Sequence, residues 1–221
     1  VGLRRGQSIR AAAGANISVS HSPFRTQAER KVEREQKREA VLLAAVRMFN
    51  TQGFHATSLD DVAASLGVSK PTIYHYLGNK DQVLLECLTR GVEELREAVD
   101  DARTLPGAGL DRLRSFLRRY AEIMMDDFGR CVIRTSDEAL SPASAARFRA
   151  LKREIDAAMR ALIADGVADG SIGRTDIKLT AFTLAGALNW PARWYDPQGG
   201  QSASEVAARM VDILTSGLAP R

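Results

Sequence analysis

Apolar residues along the chain recur at helical spacing and show no sustained alternation. Val41, Ala45, Met48 and Phe49 share one face over about two turns, and Gly53 ends that segment. Upstream, Thr26 and Glu29 have the spacing of a capping box. They open a charge-rich stretch, Arg30 to Glu39, whose close opposite signs suit a helix running into the first core helix. The segments then shorten. Ser58 caps a helix carrying Leu59, Val62, Ala63 and Leu66, Gly67 stops it, and Ser69 caps another with Ile73, Tyr76 and Leu77. A longer helix begins near Asn79 and runs to about Arg103, where Leu105-Pro106-Gly107-Ala108-Gly109 breaks the chain. The next holds Leu110, Leu113, Phe116, Leu117, Tyr120, Ile123 and Met124. Four helical segments are expected between residues 131 and 218, punctuated by Ser141-Pro142, Gly170 to Gly173 and Asp196 to Gly200. The last opens with a second capping box, Ser202 and Glu205, and stops at Gly217. With no β-branched alternation and no repeat, the expectation is an all-α protein.

Residues 1–23 mix small, polar and basic types without a period, and Ser22-Pro23 closes them. They are expected to form a flexible basic tail. The reading divides the chain into that tail, a head over residues 24–80 with a helical extension, and a helical body over residues 81–221. Charge separates the same regions. Residues 1–80 carry 12 Lys and Arg against 6 Asp and Glu, and the remainder carries 19 against 21. A basic excess confined to one end points to a polyanion partner. Aromatics make up only 6% of the chain, and few lie among the basic residues, which disfavours a platform for stacking single-stranded bases. The longest apolar run, Ala40 to Val46, is far short of the roughly 20 residues that span a bilayer. No apolar stretch near the start suits a signal peptide. Cys87 and Cys131 lie far apart in apolar surroundings and read as reduced core thiols of a cytoplasmic protein, without metal-ligand spacing. No cofactor is expected.

Asp60 to Leu77 carries the sharpest local signal. A DNA-binding helix-turn-helix needs a small residue in its first helix, a glycine at the turn and apolar anchors on both sides. Ala63, Gly67 and the set Val62, Leu66, Val68 and Ile73 meet these needs in order. The second helix turns Lys70, Thr72 and His75 away from the anchors, and these side chains suit base edges or phosphates in a major groove. His75 has no second histidine near it in sequence and reads as a surface residue rather than a metal ligand.

The stretch from Arg38 to Leu88 resembles the amino-terminal signature of the tetracycline-repressor (TetR) family. The resemblance rests on Gly53-Phe54-His55-Ala56-Thr57-Ser58-Leu59-Asp60-Asp61-Val62-Ala63. It continues through Gly67-Val68-Ser69-Lys70-Pro71-Thr72-Ile73-Tyr74-His75-Tyr76-Leu77-Gly78-Asn79-Lys80. Leu66 and Leu77 depart from it, standing where alanine and phenylalanine are commoner. The resemblance implies a three-helix DNA-binding head and a helical ligand-binding and dimerisation body. It assigns phosphate contacts to Ser58, Tyr74 and Lys80, and a groove-facing role to Lys70, Pro71, Thr72 and Tyr76, with Ser69 and His75 beside them. Pro71 is tolerated in the first turn of its helix, and Lys80 sits where free backbone N–H groups favour a phosphate. The spacing of Tyr76 from Ile73 suits the inner face equally well.

For the body, the resemblance implies a homodimer through the last two long helices, two heads on a palindromic operator, and an effector pocket. The helix from Ile177 to about Tyr195 is apolar, with Ala181, Ala185, Gly186 and Ala187. The last helix brings Val206, Met210, Ile213 and Leu214 into a bundle spacing. Phe116, Tyr120, Met124 and Phe128 lie on or near one side of a body helix, and Trp190 and Trp194 flank Pro191, which should kink theirs. These aromatics suit either core packing or an apolar cavity. Trp194-Tyr195, Pro197 and Gly199 are similar to a tail of family members that respond to acyl-CoA thioesters, with Arg193 as the nearest cation for a phosphate. The expected effector is hydrophobic or acyl-CoA-like.

A helical enzyme is the rival class. Its candidate features are the acidic pairs Glu93-Glu94, Asp100-Asp101 and Asp126-Asp127, which lack partner motifs, and Gly107-Ala108-Gly109, which lacks a preceding strand and a third glycine. The reading favours a dimeric repressor released by an effector. An activator, or a weakly specific architectural binder using the same head, is the alternative.

Overall fold

The computed structural model describes Gly2 and residues 26–217. The expected flexible tail lies outside the described residues, Gly2 apart. Every regular element among them is helical. The head comprises α1 (Gln27–Gln52), α2 (Leu59–Ser65) and α3 (Lys70–Leu77); α4 (Lys80–Thr104) leads into the body. The body continues with α5 (Gly109–Met125), α6 (Asp127–Arg134), a 3-10 turn (Asp137–Ala139) and α7 (Pro142–Ala168). It closes with α8 (Ile177–Asn189), α9 (Pro191–Trp194) and α10 (Ala203–Ser216). The chain divides into two compact units, residues 1–35 and residues 36–221. In the first, the Thr26–Glu29 capping box forms as expected, with the Thr26 N–H donating to Glu29 Oε2 at 2.7 Å. In the second, apolar residues of the head and body helices join one core cluster.

The core follows the helical period. Val41, Leu42, Ala45, Val46 and Phe49 of α1 are buried, as are Val62, Ile73 and Leu77 of the short helices. α4 buries a stripe from Val83 to Ala102 and packs on α5, α6 and α7. Two ion pairs, Arg38–Glu86 and Arg90–Glu39, tie α1 to α4. Cys87 and Cys131 are free and buried, and burial pushes both thiols up in pKa, which keeps them protonated and inert.

Three local expectations change. Phe128 is not on the helix of Phe116, because the chain breaks at Asp126, whose backbone is extended and whose carboxylate Oδ1 caps α6 by accepting the Gly129 N–H at 2.8 Å. Only glycine fits there, since a Cβ on residue 129 would stand 1.9 Å from the Ile123 carbonyl oxygen. The helix expected to kink at Pro191 instead ends at Asn189 and restarts at Pro191 as α9. Proline supplies no N–H to continue the ladder. In place of four segments, residues 127–217 carry five α-helices and the 3-10 turn.

Candidate nucleic-acid interface and body cavity

Local bonds build the head. Thr57 is buried and its hydroxyl donates to the Gly53 carbonyl at 2.9 Å, closing the loop after α1. Ser58 caps α2 reciprocally with Asp61: the Asp61 N–H donates to Ser58 Oγ at 3.1 Å and the Ser58 N–H to Asp61 Oδ2 at 2.9 Å. The Ser58 hydroxyl, donating to Asp61 Oδ2 at 2.6 Å, and then the Ser58 N–H hold the Asp61 carboxyl below its ordinary pKa. The turn passes through Gly67 at φ +64°, a left-handed conformation that glycine adopts without Cβ strain. Val62 and Ile73 anchor the two helices in the core as expected, whereas Leu66 and Val68 are each 37% exposed. The C-cap position of Leu66 and the tight turn at Gly67 carry these two side chains off the buried face.

On α3 the faces separate cleanly. Ile73 and Leu77 point inward, while Lys70, Pro71, Tyr74 and His75 are exposed. Thr72 and Tyr76 are half buried, so Tyr76 packs at the edge of the core and meets the His75 ring edge-on at 5.4 Å. Ser69 occupies the cap position, but its hydroxyl bonds the Thr72 hydroxyl at 2.8 Å rather than a backbone N–H. Lys70 is paired with Asp60 of α2, a contact that raises its pKa and keeps it charged.

Lys80 stands in the first turn of α4, behind the Asn79–Gln82 capping box. Its Nζ lies 4.2 Å above the centre of the Phe54 ring and 3.4 Å from the His55 carbonyl. Burial lowers its pKa. Next to it, Asp81 accepts from the Ser141 N–H at 2.6 Å and the Ser144 hydroxyl at 2.7 Å, fixing the start of α4 against that of α7. Phe54, Asp60 and Asp81 support the face in ways the sequence reading missed. Asp60 was legible as an acid ten positions before Lys70, but the partners of Phe54 and Asp81 are too distant in sequence for any local signal.

The body holds a half-open cavity of about 550 Å³. Val92 and Leu95 of α4, Val132 and Ile133 of α6, Ile155 and Met159 of α7, and Phe182 and Ala185 of α8 give it apolar walls. Tyr120 and Met124 of α5 line it, and Tyr120 donates its hydroxyl to Asn189 Oδ1 at 2.9 Å. Burial pushes the phenol up to about 12, so it remains a neutral donor. Asp137, Lys152 and Asp156 also line the cavity, with Lys152 bound to Asp137 at 2.7 Å and Asp156 to Arg160 at 2.6 Å.

Of the seven ligand candidates, the cavity wall therefore holds Tyr120 and Met124. Phe116 is fully buried behind Tyr120, with its ring 5.8 Å away and edge-on. Phe128 faces the Arg90 guanidinium at 4.5 Å, a position set by the break before α6. Trp190, Arg193 and Trp194 are exposed and do not line the cavity, since the restart at Pro191 turns them outward. Asn189 and Phe182, the most informative wall residues of α8, carried no sequence signal beyond helical spacing.

Helix α6 touches both regions. At its start, Arg47 of α1 binds Asp127 at 2.8 Å and the Asn50 amide donates to the Asp127 carbonyl at 2.7 Å. At its end, Arg134 donates to the carbonyls of Asn50 and of Ala192, each at 2.9 Å. Among the described residues no helix is long and apolar enough to cross a membrane, and no group of three or more metal-binding side chains converges.

The profile for bacterial regulatory proteins of the tetR family matches residues 41–87, and that for the tetracyclin repressor-like C-terminal domain matches residues 106–218. The transcriptional regulator EthR of Mycolicibacterium smegmatis is 31% identical over 82% of this chain and 86% of its own length. The transcriptional activator FasR of the same organism is 30% identical over 54% of this chain, which spans 55% of FasR. The crystal structure of the TetR family transcriptional regulator PfmR from Thermus thermophilus superposes with a TM-score of 0.74 at 29% identity, covering 81% of this chain and 99% of that one. Head and body alike thus belong to the tetracycline-repressor family, and the chain is a DNA-binding transcriptional regulator rather than an enzyme.

Proposed function

We propose that the protein is a dimeric repressor that binds a palindromic operator and leaves it when a small apolar effector enters the body cavity. The observation that carries this reading is α6, a cavity wall bonded at both ends to α1 of the head. A ligand that favours one position of α6 also favours one position of the head, which is the differential interaction that effector control requires. Residues 24–80 form the reading head and residues 81–221 the effector and dimer body.

Ser58, Tyr74 and Lys80 hold phosphates, while Lys70, Pro71, Thr72 and Tyr76 face the groove beside Ser69 and His75. The exposure of Lys70, Pro71, Tyr74 and His75 supports this, and the Phe54 ring and His55 carbonyl hold Lys80 at the start of α4. Dimerisation uses α8 and α10, where Leu179, Phe182 and Ile213 are between 52% and 74% exposed. Large apolar side chains left open on these two helices fit a self-complementary interface. The protein acts on DNA in the cytoplasm. A second reading, activation from the same operator, draws on the likeness to FasR, an activator by name.

Selection from a random duplex library at fixed salt tests the proposal, with the intact protein beside a Tyr74→Ala, Lys80→Ala double variant. A palindrome recovered by the intact protein alone is the expected result. Enrichment of no sequence by a folded dimer overturns it.

A further inference from the structure

The first turn of α4 carries two opposite charges side by side, and the structure sends them in different directions. Lys80 turns to the head, where its Nζ stands 4.2 Å above the Phe54 ring and 3.4 Å from the His55 carbonyl. Asp81 turns to the body. Its Oδ1 accepts the Ser141 N–H at 2.6 Å, and its Oδ2 accepts the Ser141 hydroxyl at 3.0 Å and the Ser144 hydroxyl at 2.7 Å. These donors stand at the start of α7, 60 and 63 positions away in sequence. Burial by itself would raise the pKa of the carboxyl, but the bonds from Ser141 and Ser144 outweigh it and hold the group below its ordinary value. Asp81 is therefore charged, and its partners are neutral hydroxyl and amide groups.

An acidic residue in the first turn of a helix is ordinarily drawn to the N–H groups of its own helix end, which have no intrahelical acceptor. An unrestrained Asp81 would settle there, beside Lys80, and its charge would oppose any phosphate that Lys80 holds. Docking of α4 on the body rests on the buried stripe from Val83 to Ala102, which packs on α5, α6 and α7. What the contact with Ser141 and Ser144 decides is where the carboxylate lies.

From this geometry we infer that Ser141 and Ser144 of α7 are positioning residues for DNA binding: they hold the Asp81 carboxylate against the body, away from the operator phosphate at Lys80, and its release weakens the operator complex. The inference rests on the reading of Lys80 as a phosphate contact. It assigns to the body a direct part in the electrostatics of the reading face.

Fluorescence anisotropy with the operator duplex recovered by selection tests it. Ser141→Ala with Ser144→Ala removes both hydroxyl donors and should weaken binding by about fivefold at low salt, the effect of one charge near a phosphate, fading as salt rises. In an Asp81→Asn background, which keeps an acceptor for the Ser141 N–H but carries no charge, the same pair should change affinity by less than about twofold. Asp81→Asn alone should bind at least as tightly as the wild type. Because Ser141 also caps α7, Ser144→Ala serves as the second variant: it leaves that cap in place and should weaken binding by about twofold at low salt. Unchanged affinity in the serine pair, an equal loss in both backgrounds, or a loss in Asp81→Asn as large as that in the pair overturns the inference. The last two are the results of a contact that only docks α4 on α7. Lys80→Ala is read separately. Full operator affinity there defeats the phosphate reading of Lys80, whereas lost affinity there with equal serine losses in both backgrounds defeats only the role of Asp81.

Discussion

In the head, Ser58 bonds Asp61 three positions away and Lys70 pairs with Asp60 ten positions away, whereas in the body the hydroxyl of Tyr120 meets Asn189 across 69 positions. The two regions thus place polar groups by different means. The head holds its exposed side chains with caps and short turns, over apolar residues that belong to the shared core. The body brings together groups from five helices around a cavity, and their geometry depends on how those helices pack. Substitutions on the head face should consequently alter DNA binding with little effect on stability. Substitutions behind the cavity should do the reverse.

The largest expected effect is in the body. Phe116→Ala empties a fully buried aromatic site and should cost about 3–5 kcal/mol in urea unfolding. A loss below about 1 kcal/mol would mean that the wall behind Tyr120 is loosely packed, and the contrast would fail. On the head, Tyr74→Ala with Lys80→Ala should weaken operator binding by about 100-fold. The unfolding midpoint should move far less than in Phe116→Ala, because Tyr74 is 51% exposed and Lys80 contributes mainly its contact with Phe54. A comparable fall in stability would show that the reading face is itself a structural support.

Smaller effects sharpen the same contrast. Ser58→Ala removes a reciprocal cap and should destabilise the protein by about 1 kcal/mol while also weakening operator binding, the one head position at which the two readouts move together. Asp60→Asn releases Lys70 from an exposed ion pair. It should tighten operator binding by roughly two- to threefold at low salt, with the gain fading as salt rises, measured by fluorescence anisotropy. A gain that persists at high salt would place the effect in base recognition rather than in charge.

The limits of sequence reading follow the same division. The helical period, the Ser58 and Ser202 caps, and the Gly67 turn were legible because each signal lies within a few residues of its consequence. The expectation that Leu66 and Val68 act as anchors failed because a side chain at the edge of a tight turn is directed by the turn rather than by periodicity. Phe128, expected on or near the face of Phe116, lies on the next helix for a related reason. The break at Asp126 requires the Ile123 carbonyl to approach Gly129, and that close packing leaves no trace in the apolar pattern.

The sequence by itself determined the helical class, the position of the helix-turn-helix and the concentration of basic charge in the first 80 residues. All three depend on local period, capping and composition. Only the tertiary structure decided which aromatics are core, which wall the cavity and which face outward. Phe116, Tyr120 and Trp190 all fit an apolar helical face in sequence, yet they are respectively buried behind the cavity, on its wall and 61% exposed. The physical reason is that helical spacing specifies a face, whereas the neighbour that covers that face is chosen by packing between distant segments.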